Sequence, residues 1–195
     1  MKKETPMANF IFLMATILMR IRGLFRNKKA EVLLTGAKRG DIILDYGCGI
    51  GFNTIPAAEI VGEEGRVYAI DTNPKFLAFI QSCAKEKGLG NILTLLAEDE
   101  LDLPEISLNF IFMRNVTHHL FERILYFTRL RKYLKPDGKI IIIEYKPSKS
   151  FSFRGIFKHH VAKETIIQEM KQAGYKLEEE FDFLPEQHFT IHSKG

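Results

Sequence analysis

The sequence predicts an α/β domain built on a doubly wound, mostly parallel β-sheet. Short apolar segments alternate along the chain with longer segments of helical periodicity, which is typical of parallel strands joined by crossover helices. A glycine-rich turn follows the first apolar segment, and an acidic residue ends the second. With 195 residues, the chain has the length of one domain with a full core.

The first strand is predicted at residues 41–46, because Ile42, Ile43 and Leu44 form an apolar run that is typical of a buried parallel strand. Residues 45–51 read DYGCGIG, with a glycine at every second position from 47 to 51. Such glycines let the chain turn tightly and let a ligand approach the backbone. A helix predicted at 53–61 then turns its first N–H groups toward whatever the loop holds.

The second strand, residues 66–71, ends in Asp71. About twenty residues after a glycine loop, nucleotide-binding folds place the acid that accepts hydrogen bonds from ribose hydroxyls. Asn73 followed by Pro74 predicts the start of the next helix. Gly88 is placed to end it.

The remaining segments continue the alternation of strands and helices. Apolar runs predict further strands at 92–96, 108–114 and 139–144. Helical periodicity predicts helices at 121–134 and 163–173. A turn is predicted at 135–138, where proline and glycine take turn-compatible places. Two closing strands are predicted to form a hairpin, at 176–182 and 188–192.

An apolar N-terminal helix is predicted at residues 1–30, ahead of the domain at 31–195. The apolar stretch is too short to span a membrane, and no small-residue cleavage site follows it. A helix this apolar must be mostly covered. It either packs on the domain or lids the active site, or it contacts a membrane surface or a lipophilic substrate. A signal anchor is a third alternative.

Composition and charge fit a soluble globular protein, with 46% hydrophobic and 27% charged residues. The net charge of +4 permits an anionic partner without requiring one. The two cysteines, Cys48 and Cys83, have no metal or redox spacing, and we expect free thiols in a reducing cytoplasm. No set of histidines, cysteines and acids has metal-ligand spacing, so no metal is expected.

The glycine loop with its strand, its helix and Asp71 resembles the class I S-adenosylmethionine (SAM)-dependent methyltransferases, over about residues 41–144. The resemblance implies a Rossmann-like seven-stranded sheet that closes in an antiparallel hairpin. Dinucleotide folds use G-x-G-x-x-G, so the glycine spacing here disfavours a nicotinamide oxidoreductase. The segments VTHHL at 116–120 and LKPDG at 134–138 resemble the ubiquinone and menaquinone biosynthesis type, which acts on small molecules.

The resemblance also implies which residues contact SAM. They lie at or just after the ends of the first four strands: Asp45, Gly47, Gly49, Gly51, Asp71, Glu98, Asp99 and Asn115. The glycines would lie against the amino-acid end of SAM, Asp45 would orient its amine, and Asp71 would accept from both ribose hydroxyls. The acceptor for the adenine amino group is either Glu98 or Asp99, because the usual Gly-Asp pair is missing here. Asn115 would line the methionine side.

Candidate catalytic residues follow the fourth and fifth strands. Transfer from a sulfonium needs mainly positioning and dehydration of the nucleophile, and a base only where the acceptor must lose a proton. His118 and His119 are candidates because histidine titrates near neutrality, and Glu144 ends the fifth strand. The structural alternatives are a histidine that holds the loop by hydrogen bonds and a Glu144 that pairs with Lys146 or an arginine.

The predicted function is a cytoplasmic SAM-dependent methyltransferase. It moves the methyl group by in-line displacement to an O, N, S or C atom of a small molecule, lipophilic if the acceptor is a quinone precursor, and releases S-adenosylhomocysteine. Peripheral membrane contact through the N-terminal helix belongs to the same prediction.

The first alternative is an RNA methyltransferase, since basic residues could follow phosphates. Nucleic acid is nevertheless disfavoured, because no Asn/Asp-Pro-Pro-Tyr/Phe segment follows strand four. The second alternative is a protein that binds SAM without catalysis. Arsenite methylation is disfavoured because Cys83 is the only cysteine outside the glycine loop.

Overall fold

The computed structural model describes residues 14, 17, 28–98, 101, 103–147 and 160–195. The helices are α1 (Lys28–Leu33), α2 (Thr54–Val61), α3 (Pro74–Glu86), a 3₁₀ turn at Thr117–His119, α4 (Arg123–Leu130) and α5 (Lys163–Gln172). The strands are β1 (Ile42–Tyr46), β2 (Arg66–Asp71), β3 (Ile92–Leu96), β4 (Leu108–Arg114), β5 (Leu134–Tyr145), β6 (Tyr175–Phe181) and β7 (Gln187–Lys194).

The strands form one seven-stranded sheet in the order β3-β2-β1-β4-β5-β7-β6. Strands β1 to β5 pair in parallel, whereas β7 runs antiparallel to both β5 and β6. The chain winds outward from β1 through β2 to β3, then returns to start again at β4. This is the doubly wound sheet with a closing hairpin that the sequence predicts, and the prediction is confirmed.

Helices cover both faces of the sheet, so the central strands are apolar on both sides. On β4, Phe110 and Phe112 point into one core with residues of α1 and α2. Ile111 and Met113 point into the opposite core with residues of α4 and α5. This alternation explains why the central strands appear in the sequence as continuous apolar runs.

The start of α3 is set by its cap. The Asn73 side chain accepts a hydrogen bond from the Lys75 N–H at 3.0 Å, and Pro74 occupies the first helical position. This pair satisfies one free donor of the first turn and presets the backbone. The prediction from these two residues is confirmed.

The predicted helix at 121–134 and the predicted turn at 135–138 are wrong in their bounds. Helix α4 covers only Arg123–Leu130, because Glu122 takes a left-handed conformation with φ 50° that a helix cannot contain. At the other end, the Tyr133 carbonyl accepts from the N–H groups of Ser107 and Leu108, so the chain already pairs with β4. The predicted turn lies inside β5, where the register with β4 shifts.

The predicted N-terminal helix falls mostly outside the described residues. Met14 and Ile17 are helical, and the six-residue helix α1 runs across the predicted boundary at residue 30. None of the helices within the described ranges is long and apolar enough to cross a membrane.

Candidate active site

A cavity of about 860 Å³ opens at the carboxyl ends of the parallel strands. The loops after β1, β2 and β4 line it, together with α1 and Tyr145 at the end of β5. It lies beside the junction of β1 and β4, where the winding direction of the sheet reverses. Open α/β sheets bind ligands at this switch point.

The glycine loop forms one wall of this cavity. Hydrogen bonds from the Gly47 and Cys48 N–H groups to the Ile70 carbonyl, at 2.8 and 2.9 Å, tie the loop to β2. Gly47 has φ 71°, and a Cβ there would lie 2.6 Å from the Val116 side chain. Gly49 has φ 50°, and a Cβ there would meet nothing within 4 Å. The loop therefore packs against the protein at Gly47, whereas the space next to Gly49 is empty.

Asp71, at the end of β2, faces the open part of the loop. One carboxylate oxygen accepts from the Gly49 N–H at 2.9 Å, and the other accepts from the Asn73 N–H at 2.9 Å. The residue also lines the cavity. The predicted ribose acceptor therefore lies beside the predicted glycine loop, held by backbone donors on both oxygens.

Asp45 lies below the loop and is only 2% exposed. Burial raises the pKa of its carboxyl group to about 6, although hydrogen bonds from Thr54 and Asn53 and the charge of Arg114 oppose that rise. The Thr54 hydroxyl donates to it at 2.5 Å. Asp45 also borders the cavity, so this buried carboxyl group forms part of the cavity wall.

Sequence reasoning missed a polar wall that α1 contributes. Arg114, at the end of β4, forms an ion pair with Glu31 of α1, and its Nε donates to the Asn53 side chain at 3.1 Å. The Lys28 ammonium lies 4.1 Å from the centre of the Phe52 ring. The contacts of Arg114 with Glu31 and Asn53 join residues 83 and 61 positions apart, so no local pattern could have indicated them.

Asn115 follows β4 and lines the cavity, as the resemblance implies. It has the left-handed φ of 52°, a conformation that asparagine tolerates better than most residues. Its N–H donates to the Ile143 carbonyl at 2.8 Å, and its side-chain oxygen accepts from Gln187. The amide is thus fixed at the cavity edge by β5 and β7.

The catalytic candidates Glu144 and His118 are in direct contact. Glu144 is 0% exposed, and its carboxylate lies 3.0 Å from His118 Nδ1. The Thr117 hydroxyl donates to the same carboxylate at 2.6 Å. His118 borders the cavity, whereas Glu144 lies behind it.

The other candidates make no contact with the Glu144 carboxylate among the described hydrogen bonds. His119 is exposed and lines the cavity, with its ring centre 4.1 Å from that of His118. Lys146 pairs with Asp182 at 2.7 Å, and Glu144 pairs with His118, so the proposed Glu144–Lys146 pair is wrong. Glu98 is exposed after β3, and Asp99 lies outside the described residues.

The sequence matches the family described as "Methyltransferase domain" over residues 37–183, a span that includes the whole cavity apart from α1 and the closing hairpin. The chain belongs to this family. The family resemblance predicted from the glycine loop is thereby confirmed.

Two curated methyltransferases illustrate the range of relatives. The chain is 32% identical over 130 residues to the ubiquinone/menaquinone biosynthesis C-methyltransferase UbiE of Teredinibacter turnerae, covering 63% of this chain and 51% of that protein. It is 30% identical over 162 residues to a phosphoethanolamine N-methyltransferase of Triticum aestivum, covering 75% of this chain and 30% of that protein. The methyltransferase domain thus spans about half or less of these relatives.

Solved structures share the fold. A SAM-dependent methyltransferase from Aquifex aeolicus superposes with a TM-score of 0.78 at 24% identity, covering 85% of this chain and 88% of that one. A TehB-like SAM-dependent methyltransferase from Corynebacterium glutamicum gives 0.71 at 16% identity, covering 98% and 100%. At these identities the likeness concerns the fold alone, which matches the sheet described above.

Proposed function

We propose that this methyltransferase-family protein transfers the methyl group of SAM to a small-molecule acceptor. The observation that carries the proposal is the open backbone at Gly49 beside the Asp71 carboxylate. A bare backbone next to a two-oxygen acceptor suits a ribose with its vicinal hydroxyls. The cavity of about 860 Å³ continues from there past the histidines, so it has room for a second ligand.

The residues present fit SAM. A side chain at Gly49 would fill the space in which the amino-acid end of the ligand approaches the loop. Asp71 would accept from the ribose hydroxyls, and Asp45, with a pKa near 6, would be mostly ionised at neutral pH and attract the ligand's ammonium group. Asn115 would line the methionine side. The adenine acceptor is one of Glu98 and Asp99.

The chemistry needs little more from the protein than placement. SAM supplies a methyl carbon already activated on a sulfonium. The protein's residues hold the two ligands in line and exclude water from the acceptor atom. The apolar side chains that border the cavity beyond the loop, such as Val116 and Leu120, serve this exclusion.

A small acceptor is supported by the names of the relatives, which give carbon methylation in quinone biosynthesis and nitrogen methylation of phosphoethanolamine. A lipophilic acceptor would give the apolar N-terminal segment a role in membrane contact. Nucleic acid is not part of the proposal.

Isothermal titration calorimetry with SAM and S-adenosylhomocysteine tests the proposal. The variant Asp71→Ala removes the ribose acceptor and should weaken binding by about 1–3 kcal/mol, or about 5- to 150-fold. Asp137→Ala is the matched control, because Asp137 is exposed at the start of β5 and does not border the cavity. Equal affinities in both variants would place the nucleotide elsewhere, and no binding to the wild type would refute the proposal.

A further inference from the structure

The hydrogen bonds around Glu144 are unusually complete. One carboxylate oxygen lies 3.0 Å from His118 Nδ1 and accepts from the Tyr145 N–H at 2.8 Å. The other accepts from the Thr117 hydroxyl at 2.6 Å and from the His118 N–H at 3.3 Å. Both oxygens of a carboxylate that is 0% exposed are thus occupied, and three of the four donors come from the loop after β4.

The charge on Glu144 survives this burial. Burial by itself raises the pKa of the carboxyl group, but the hydrogen bonds from His118, Thr117 and Tyr145 outweigh it and hold the pKa below its ordinary value. The carboxylate is therefore ionised at neutral pH. A buried carboxylate in hydrogen-bond contact with an imidazole fixes the orientation of the ring.

This contact also fixes the tautomer of His118. A carboxylate can only accept, so Nδ1 must carry the hydrogen, and the basic lone pair of the neutral ring is on Nε2. His118 borders the cavity, and its side chain is only 4% exposed. A ring nitrogen that is basic, oriented and shielded from solvent is what a general base requires.

We propose that His118 is the general base of the methyl transfer and that Glu144 is the residue that positions it. This inference rests on the proposed function. The acceptor's X–H bond breaks, its proton goes to His118 Nε2, and its electron pair forms the new bond from X to the methyl carbon. The electron pair of the broken carbon–sulfur bond stays on sulfur as a neutral thioether. Glu144 stabilises the imidazolium that results.

The proposal narrows the class of acceptor. It must carry a proton that is lost in the reaction, as a phenol, another hydroxyl, a thiol, an ammonium group or an acidic C–H does. Acceptors that attack with a lone pair and lose no proton, such as tertiary amines and thioethers, have no use for the base. His119 is the weaker candidate, because it is exposed and the carboxylate of Glu144 contacts His118 instead.

The first test reads the tautomer without any substrate. Nitrogen-15 NMR of the imidazole rings in the wild-type protein, at mildly alkaline pH, should show His118 with a protonated Nδ1 and an unprotonated Nε2. Free histidine prefers the opposite tautomer, so Glu144→Ala should shift His118 toward it, and Glu144→Gln offers a second variant of the same shape. A wild-type His118 that is protonated on Nε2 would overturn the proposal.

The second test measures transfer of tritiated methyl groups from SAM into a small-molecule extract of the source organism. Loss of a general base typically slows a reaction by about 10²- to 10⁴-fold, so His118→Asn should slow transfer by at least about a hundredfold while SAM binding by calorimetry persists. The variant His119→Asn serves for comparison and should lose less than about tenfold. A His118→Asn variant that retains the wild-type rate would overturn the assignment.

The pH profile separates a base from a loop-holding residue. The ionisable groups whose charges act on Glu144 or on which it acts are His118, Arg123 and His188, and His119 stacks on His118. The wild-type rate should rise with pH in step with the loss of the His118 ring proton that NMR records, and the two curves should coincide in Glu144→Gln as well. If the rate does not follow the protonation of His118, then His118 has a structural role only. Absence of label transfer together with absence of SAM binding would instead refute the proposed function.

Discussion

Backbone groups form one half of the cavity wall, and side chains form the other. On the β1–β2 side, backbone groups and absent side chains shape the wall, as the open space at Gly49 and the N–H bonds to Asp71 illustrate. On the β4–β5 side, buried side chains do so, with Glu144 holding Thr117 and His118. The β1–β2 side, here called the backbone half, is formed by residues close together in the sequence. The β4–β5 side, here called the side-chain half, depends on residues that the fold brings together.

This difference separates a general ligand from a specific one. A backbone cradle tolerates changes of most neighbouring side chains, so it suits a ligand that a whole family shares. A side-chain network can be rebuilt by a few substitutions, so it suits the acceptor, which differs between relatives that methylate carbon and nitrogen. The following predictions test whether the two halves respond to mutation as differently as this account requires.

The largest effect is expected in the side-chain half. Glu144→Ala leaves the Thr117 hydroxyl and the Tyr145 N–H without their buried acceptor, and breaking such a network costs about 3–5 kcal/mol in unfolding free energy. Glu178→Ala is the control, because Glu178 pairs with Lys139 near the surface, where pairs contribute about 0–1 kcal/mol. Urea unfolding measures both losses. Similar losses of unfolding free energy in the two variants would show that the hydrogen bonds of Glu144 do not stabilise the fold more than a surface ion pair does.

In the backbone half of the cavity, alanine substitutions at Gly47 and Gly49 should have different effects. Gly47→Ala places a Cβ 2.6 Å from Val116 at a φ of 71°, so strain and overpacking should cost about 2–4 kcal/mol in stability. Gly49→Ala meets nothing within 4 Å and should cost only about 1–2 kcal/mol for its backbone conformation, yet it should weaken SAM binding. Thermal unfolding measures the stability of the two variants, and calorimetry measures their SAM binding. A larger stability loss in Gly49→Ala together with unchanged SAM binding would contradict the account.

Acid titration compares Asp45, which borders the cavity, with His192, a buried residue of β7 that does not border it. Burial lowers the pKa of His192 on β7 to about 4, so its contribution to stability is complete above pH 6.5 and is lost as the pH falls toward 4. Burial raises the pKa of Asp45 to about 6, so its contribution is complete below pH 3.8 and is lost as the pH rises through 6. The two contributions therefore change in opposite directions over the same pH window.

Substitution of either residue should reveal these opposite contributions in the unfolding free energy measured between pH 7 and about pH 5. From these pKa values, His192 removes about 2 kcal/mol of stability on acidification and Asp45 returns about 1 kcal/mol. Asp45→Asn should therefore lose more stability than the wild type over this range, and His192→Gln should lose less. Parallel curves for all three proteins would show that neither group titrates as described.

The smallest effect concerns a side chain in the backbone half. Asn73→Ala removes the cap on α3 and should cost about 1 kcal/mol. Asn73→Asp keeps an acceptor at the same place and should cost less. Circular dichroism during urea unfolding measures both, and an Asn73→Ala loss as large as that of Glu144→Ala would erase the contrast between the halves.

The same contrast explains what the sequence could predict. The bounds of β2 and α3 follow from local signals, an apolar run and the Asn73-Pro74 pair. The helix predicted at 121–134 is too long because helical periodicity continues beyond Leu130, whereas the Tyr133 carbonyl accepts from the N–H groups of Ser107 and of Leu108, the first residue of β4. These partners are far away in sequence.

The candidate site divides in the same way. The glycine loop and Asp71 were identifiable from spacing within about thirty residues, a local pattern of strand, loop and strand. The contact between Glu144 and His118 joins positions 26 apart, and that between Arg114 and Glu31 joins positions 83 apart. Sequence reasoning could propose each histidine and acid alone, but not which of them pair.

Titration of nitrogen-15-labelled protein with S-adenosylhomocysteine tests the central claim most directly. If the nucleotide binds the backbone half as proposed, the largest amide shift changes are expected at Gly49, Gly51, Asp71 and Asn73, with smaller changes at Thr117 and Tyr145, since all of these residues but Gly51 and Thr117 border the cavity. Changes that are largest at residues 117–120 and leave the glycine loop unaffected would contradict the division of the cavity into a shared half and a specific half.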